Sequence, residues 1–421
     1  KTQNKDKVYK LIFDSLNEIY KKGFNQNDID AAIMGIDFNL REEKRFWDPR
    51  SINISSKITT AWCIGRKPSD MLWPITSFEK VKQQIKENPD YIPSLMRKYF
   101  LDNKLCLKFN AVPSKNYFAE KEKVEKALLN KLIMNIDKEK YKKEIEELHQ
   151  YQQKEETEEE LKCIPYLKTS EIQTEINHIK SEYLSVKNSE GKNIPLIFSK
   201  EKTNGLVYFN VAYPIDNIEP EKLVKIPLFT SALGNLGWNG KPWDECISKI
   251  ACTMGDFTVR LKILNEIETS MAEGKTKNYP EKRLLGRVWI NFEIKCVIDK
   301  VKESLDLFSD ILSSMDFEDV KHFENIFIET KTSKKEGFVS NASSYLTRRA
   351  LLEKNKYSRI SEIFFGITQF LYINKLTKKA VPTLLKEYKD IYKSIISQGG
   401  ILQLITDEDS LPIVIDLLPA F

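Results

Sequence analysis

The spacing of apolar positions gives the chain three textures. At the start, Val8, Ile12, Leu16 and Ile19 recur at helical intervals before Gly23, and Asn27 is placed to cap a second helix through Ile33. A third helix is predicted near 78–86, and the stretch Leu105-Cys106-Leu107-Lys108-Phe109 reads as a short strand. From Tyr117 to about Glu160 the chain becomes rich in lysine and glutamate. Val124, Leu128, Leu132 and Ile136 stand four apart there, and Tyr141, Ile145 and Leu148 continue the stripe past Asp137. That pattern predicts two helices packed as a hairpin with charged outer faces, the acidic run 155–160 being solvated surface.

Beyond Ile164 the period changes. Residues 204–213 read as a strand after a tight turn. Phe257, Val259, Leu261 and Ile263 then alternate with Thr258, Arg260 and Lys262, and Val288, Ile290, Phe292, Ile294 and Cys296 alternate with Trp289, Asn291, Glu293 and Lys295. Each run is expected to bury one face of an antiparallel sheet. A helical stripe of Val301, Leu305, Phe308 and Leu312 follows, then helices near 341–353 and 378–397 and a strand near 401–405. The expected class is α+β, antiparallel sheets with packed helices, in two regions joined by a helical hairpin.

Composition narrows this picture. With 421 residues and 41% hydrophobic content the chain can bury one or more sizeable cores. Sixty-six basic and 61 acidic side chains leave a net charge of only +5, a balance that does not argue for nucleic acid or a membrane as partner. No apolar run reaches the roughly 18 residues of a bilayer span. The six cysteines, Cys63, Cys106, Cys163, Cys246, Cys252 and Cys296, include no C-x-x-C pair and are expected to be buried reduced thiols. The start at Lys1 without Met and the stop within an apolar stretch, 413–418, suggest a piece of a longer polypeptide, with any targeting segment elsewhere.

Candidate chemistry is sparse. The three histidines, His149, His178 and His322, lie far apart, whereas a helix that offers zinc two imidazoles needs them four residues apart. His322-Phe323-Glu324 starts like a metal motif without a second histidine, and is expected to be an exposed stretch of helix. His149 and His178 are expected in surface or structural roles. There is no G-x-S-x-G, no phosphate-binding G-x-x-x-x-G-K-[ST] and no G-x-G-x-x-G.

Several segments in collinear order resemble the presequence-protease branch of the pitrilysin/insulinase superfamily of zinc peptidases. They are Glu87-Asn88-Pro89 with Met96-Arg97-Lys98-Tyr99-Phe100, Cys163 to Ile172, Thr203-Asn204-Gly205-Leu206-Val207-Tyr208-Phe209, Pro227-Leu228-Phe229, Leu236-Gly237, and Phe317-Glu318 with His322-Phe323. The resemblance implies four similar α+β domains in two halves, joined by a helical hairpin and closing around a chamber. It implies residues 1–111 as the C-terminal half of a second domain, 112–170 as the hairpin linker and 171–421 as a third, degenerate domain. It further implies zinc in the intact enzyme, bound by an H-x-x-E-H motif outside this chain. The expected partners are the zinc-bearing N-terminal portion, a C-terminal fourth domain, and unstructured peptides such as globin fragments or organelle transit peptides. The implied setting is an organelle or digestive vacuole.

In a duplicated domain the metal helix should persist without its ligands. Aligned on Leu-x-x-Leu-Gly, the two histidine positions hold Phe229 and Leu233, and the water-activating glutamate position holds Ala232. The strand that pairs with substrate in the family's first domain has its counterpart at Gly255 to Ile263, so Thr258, Arg260 and Lys262 are expected to line the chamber and assist peptide capture. Asn341-Ala342-Ser343-Ser344-Tyr345 departs from the family's Ser-Gly-His-x-Tyr, and a longer insertion is expected around 266–283. The alternative is a catalytically inactive paralogue or assembly subunit of the same superfamily.

Overall fold

The computed structural model describes residues 4–42, 49–72, 74–134, 136–172, 174–175, 179–188, 190–264 and 287–420. The insertion expected around 266–283 and His178 lie outside the described residues. By internal contact the chain forms two compact units, Gly23–Pro93 with Ile179–Phe421, and Lys1–Lys22 with Ser94–His178. This grouping records packing, whereas the division at 111 and 170 expected above concerns ancestry.

The first unit is built on one six-stranded sheet. Its strands are β1 (Ser181–Lys187), β2 (Asn193–Lys200), β3 (Leu206–Pro214), β4 (Asp256–Ile263), β5 (Val288–Val297) and β6 (Ile401–Thr406). They lie side by side in the order β1-β2-β6-β3-β5-β4. All neighbours run antiparallel except β2 and β6, which are parallel. The chain is thus α+β, as the alternating runs predict.

Register puts the apolar sets on one face. Phe209 lies opposite Ile294 and Leu404, Val211 opposite Phe292 and Leu402, and Phe257 and Val259 opposite Ile294 and Phe292. Because successive side chains in a strand point to opposite faces, a slip of one residue would expose this whole set. Helices Ile226–Leu233, Val301–Ser314 and Val381–Ile396 pack on the sheet, and Val320–Ser340 packs on the first and last of them. Phe308 meets Phe209 and Phe257 edge-on at centroid separations of 6.2 and 6.1 Å, an arrangement favoured by the ring quadrupoles.

The entry to β3 is tied from a distance in sequence. Asn204 and Gly205 take φ of 57° and 76°, the left-handed region that glycine enters without cost. The Asp407 carboxylate accepts the Thr203 and Gly205 N–H groups, both at 2.8 Å, and the Thr203 hydroxyl at 2.9 Å. Burial works against its charge, but these donors hold the carboxyl below its ordinary value.

Helix Gln26–Arg41 also belongs to this unit. The Asn25 side chain, rather than the expected Asn27, caps it by accepting the Asn27 N–H. Phe38 packs so closely on Gly255 that a Cβ there would overlap its ring. Glu42 receives Lys295 Nζ at 3.0 Å and the Tyr208 hydroxyl at 3.4 Å, joining the end of the helix to the sheet face away from the main core.

The other unit is helical. Lys5–Lys22, Tyr117–Ile133 and Lys138–Gln153 are helices with no buried residue, so the stripe expected to pack the hairpin stands open. Asp137 caps the last of these by accepting the Glu139 and Lys140 N–H groups. No strand forms at 105–109, where Leu105, Leu107 and Phe109 are 92%, 91% and 86% exposed. Alternation alone cannot make a strand when no neighbour accepts its hydrogen bonds. The cysteines also differ from expectation: all are free, but Cys63, Cys106 and Cys163 are exposed, and only Cys246 and Cys296 are buried.

Candidate functional site

Helix Ile226–Leu233 and strand β4, the two elements singled out above, lie next to each other. β4 is an edge strand, paired among the described residues with β5 alone. Helix Ile226–Leu233 carries Pro227 in its first turn, where the missing N–H costs nothing, and packs against β4. Phe229, Ala232 and Leu233 all point into the core, and the Phe229 ring lies 5.2 Å from that of Tyr388. None of the three offers a metal a donor atom, and a buried apolar helix face cannot accommodate a divalent cation. Phe229, Ala232 and Leu233 therefore do not fit zinc. Among the described residues no group of three or more His, Cys, Asp or Glu could hold a metal ion.

Thr258, Arg260 and Lys262 lie on the sheet face opposite the core. Arg260 Nε is 2.9 Å from Glu293 Oε2 and Lys262 Nζ is 2.8 Å from Glu293 Oε1, so one half-buried carboxylate serves two exposed cations. On the same face of β5, Trp289 Nε1 and Asn291 Oδ1 are buried and have no hydrogen-bond partner among the described residues.

Between the edge of β4 and the helices runs a groove of about 510 Å³. Val259 to Lys262, Pro227, Leu228, Thr230, Ser231, Phe364, Phe365, Thr330 and Lys334 contribute to its walls. Lys334 forms no ion pair or hydrogen bond among the described residues. Burial, and then the positive charge of Arg348, pull its ammonium below the ordinary lysine value. Arg348 itself donates to the Ser344 hydroxyl at 2.8 Å and meets no carboxylate among the described residues. Residue spacing carried a faint signal for Lys334, which stands eleven positions, or three helical turns, after the buried Phe323. Inside the lysine-rich run 331–335 that signal was hidden.

Of the two described histidines, one is held by contacts and the other is exposed. His322 is not on open helix: its Nε2 is 2.8 Å from the Asn235 carbonyl oxygen, its ring stacks on Trp243 at 4.4 Å, and Phe323 beside it is buried. His149 lies on an exposed helix face.

Comparison with known proteins assigns the family. The family model described as Peptidase M-16C associated matches residues 112–376. A mitochondrial presequence protease from Xenopus laevis is 21% identical over 398 residues, covering 94% of this chain and 36% of its own length. A chloroplastic/mitochondrial presequence protease from Arabidopsis thaliana is 22% identical over 433 residues, covering 99% of this chain and 38% of its own. A solved protease structure from Helicobacter pylori matches 57% of this chain and 49% of its own, at 14% identity and a TM-score of 0.33. The chain thus spans little more than a third of the length of the curated relatives it matches.

Proposed function

We propose, on the premise that this chain belongs to the peptidase M-16C-associated family, that it forms a noncatalytic wall of a zinc oligopeptidase. The observation that carries this is the helix Ile226–Leu233. It stands beside an edge strand, where a catalytic copy would hold metal and substrate, yet Phe229, Ala232 and Leu233 are sealed in the core. Apolar packing has replaced the donor set, leaving scaffold and groove without a reacting centre.

In this account the zinc-bearing portion and the fourth domain are supplied by other parts of the same enzyme. The 112–170 region serves as the linker between halves, and 171–421 as the third domain. Substrates are peptides unstructured enough to enter a chamber, with organelle presequences first among them because the relatives carry that name. The setting is an organelle of the kind those names print. Thr258, Arg260 and Lys262 face the chamber as positioning residues, their charge moderated by Glu293.

The test is metal content and turnover of the isolated chain. Native mass spectrometry should find no stoichiometric zinc, and a panel of quenched peptides should stay uncut. One tightly held zinc per chain, or cleavage abolished by a chelator, would falsify the proposal.

A further inference from the structure

The groove along β4 contains an imbalance that the wall role does not explain. Its exposed cations, Arg260 and Lys262, share Glu293, so each has a carboxylate partner within the protein. Lys334 is different: it is partly buried in the wall, under the positive charge of Arg348, with no ion pair among the described residues. Placing an ammonium near a second cation and away from water costs free energy that an incoming anion recovers. The surroundings say which anion. Pro227 and Phe365 give the groove accessible apolar wall, which a small inorganic ion cannot use but side chains can. Along one side runs an edge strand whose outer hydrogen-bonding row is unpaired among the described residues, a template for extended backbone.

We infer that this groove binds the carboxylate-bearing end of an extended peptide, with Lys334 as its counter-charge, the exposed ring of Phe365 receiving a side chain, and β4 aligning the backbone. The inference deepens the chamber-wall role by giving that wall a definite peptide terminus to hold. It concerns binding by this chain alone, so it can fail while the peptidase assignment stands, and the reverse.

The experiment is fluorescence anisotropy on the intact 421-residue chain with a labelled, unstructured ten-residue peptide, offered with a free C-terminal carboxylate and as the C-terminal amide. The free acid should bind at least about five-fold more tightly than the amide, the difference expected of one partly desolvated charge contact. Lys334→Met should erase that difference while Lys334→Arg keeps most of it. Both variants should retain the circular dichroism of the parent. Hydrogen exchange should slow in 256–263 only when peptide is present. Equal binding of acid and amide would overturn the inference, as would undiminished preference in Lys334→Met. Competition by inorganic phosphate as strong as that of the peptide would also overturn it, because the apolar walls would then contribute nothing. If Lys334→Met fails to fold, Phe365→Ser serves instead, and unchanged peptide affinity in that variant counts against the groove.

Discussion

The two units spend their apolar side chains in opposite ways. In the sheet unit Phe209, Phe292, Phe308, Phe323 and Tyr388 are sealed from water, whereas in the helical unit Leu105, Leu107 and Phe118 remain more than four-fifths exposed. Apolar content is therefore not what separates them. An apolar group stabilises a fold by leaving water, at roughly 25 cal/mol per Å² buried, and a stripe left open contributes almost none of this. What remains to hold the helices is local: the Asp137 cap and i, i+4 pairs such as Lys126 with Glu122 at 2.6 Å, each worth no more than about 1 kcal/mol. Long open stripes of this kind mark interaction surfaces or aggregation liabilities.

The largest effect that sharpens this contrast comes from the centre of the sheet unit. Phe308→Ala removes a ring that touches Phe209 and Phe257 and should cost about 3–5 kcal/mol in urea unfolding, the range for a buried aromatic. A loss under about 1 kcal/mol would mean that the core is not close-packed.

A smaller, pH-dependent loss is expected at the Thr203-Asn204-Gly205 turn. The Asp407 carboxyl sits below its ordinary value in the folded state, so its contribution is fully present above the unfolded value and is lost as pH falls through the folded one. Asp407→Asn should lower the urea midpoint from about pH 5 upward, and the gap to the parent should shrink below about pH 4. A gap that stays constant down to pH 3 would mean that the carboxylate charge does not hold the turn.

The smallest effect is expected in the helical unit. Leu128→Ala removes a side chain that is 55% exposed and should change stability by no more than about 0.5 kcal/mol. A cost near that of Phe308→Ala would show that the hairpin stripe is buried in solution, and the contrast between the units would be gone.

How much of this was legible follows the same physics. β5 was plain because Val288 to Cys296 alternates without a break and both strand faces carry distinct residue types. β1 and β2 were missed: β1 carries only Leu184 and Val186 toward the core, and β2 includes Pro195, so neither run stands out from a loop. The strand read at 105–109 failed for the opposite reason, a clear alternation with nothing to pair with. At the candidate site, the apolar Phe229, Ala232 and Leu233 could be singled out by position along the chain, but the neighbours that give them meaning could not. Lys334, more than 70 residues beyond the end of β4, reaches the groove from helix Val320–Ser340, and no spacing rule connects the two. The shared use of Glu293 by Arg260 and Lys262 likewise depends on cross-strand register.

The central claim, that this chain is the noncatalytic wall of a peptidase, is tested most directly by reconstitution. A separately produced N-terminal portion bearing H-x-x-E-H is titrated with this chain while cleavage of a quenched, presequence-like peptide is followed. The account predicts no cleavage by this chain alone, saturable association with the zinc-bearing portion, and chelator-sensitive cleavage that rises with the complex. Cleavage by this chain alone, or activity of the zinc-bearing portion that is indifferent to its addition, would contradict it.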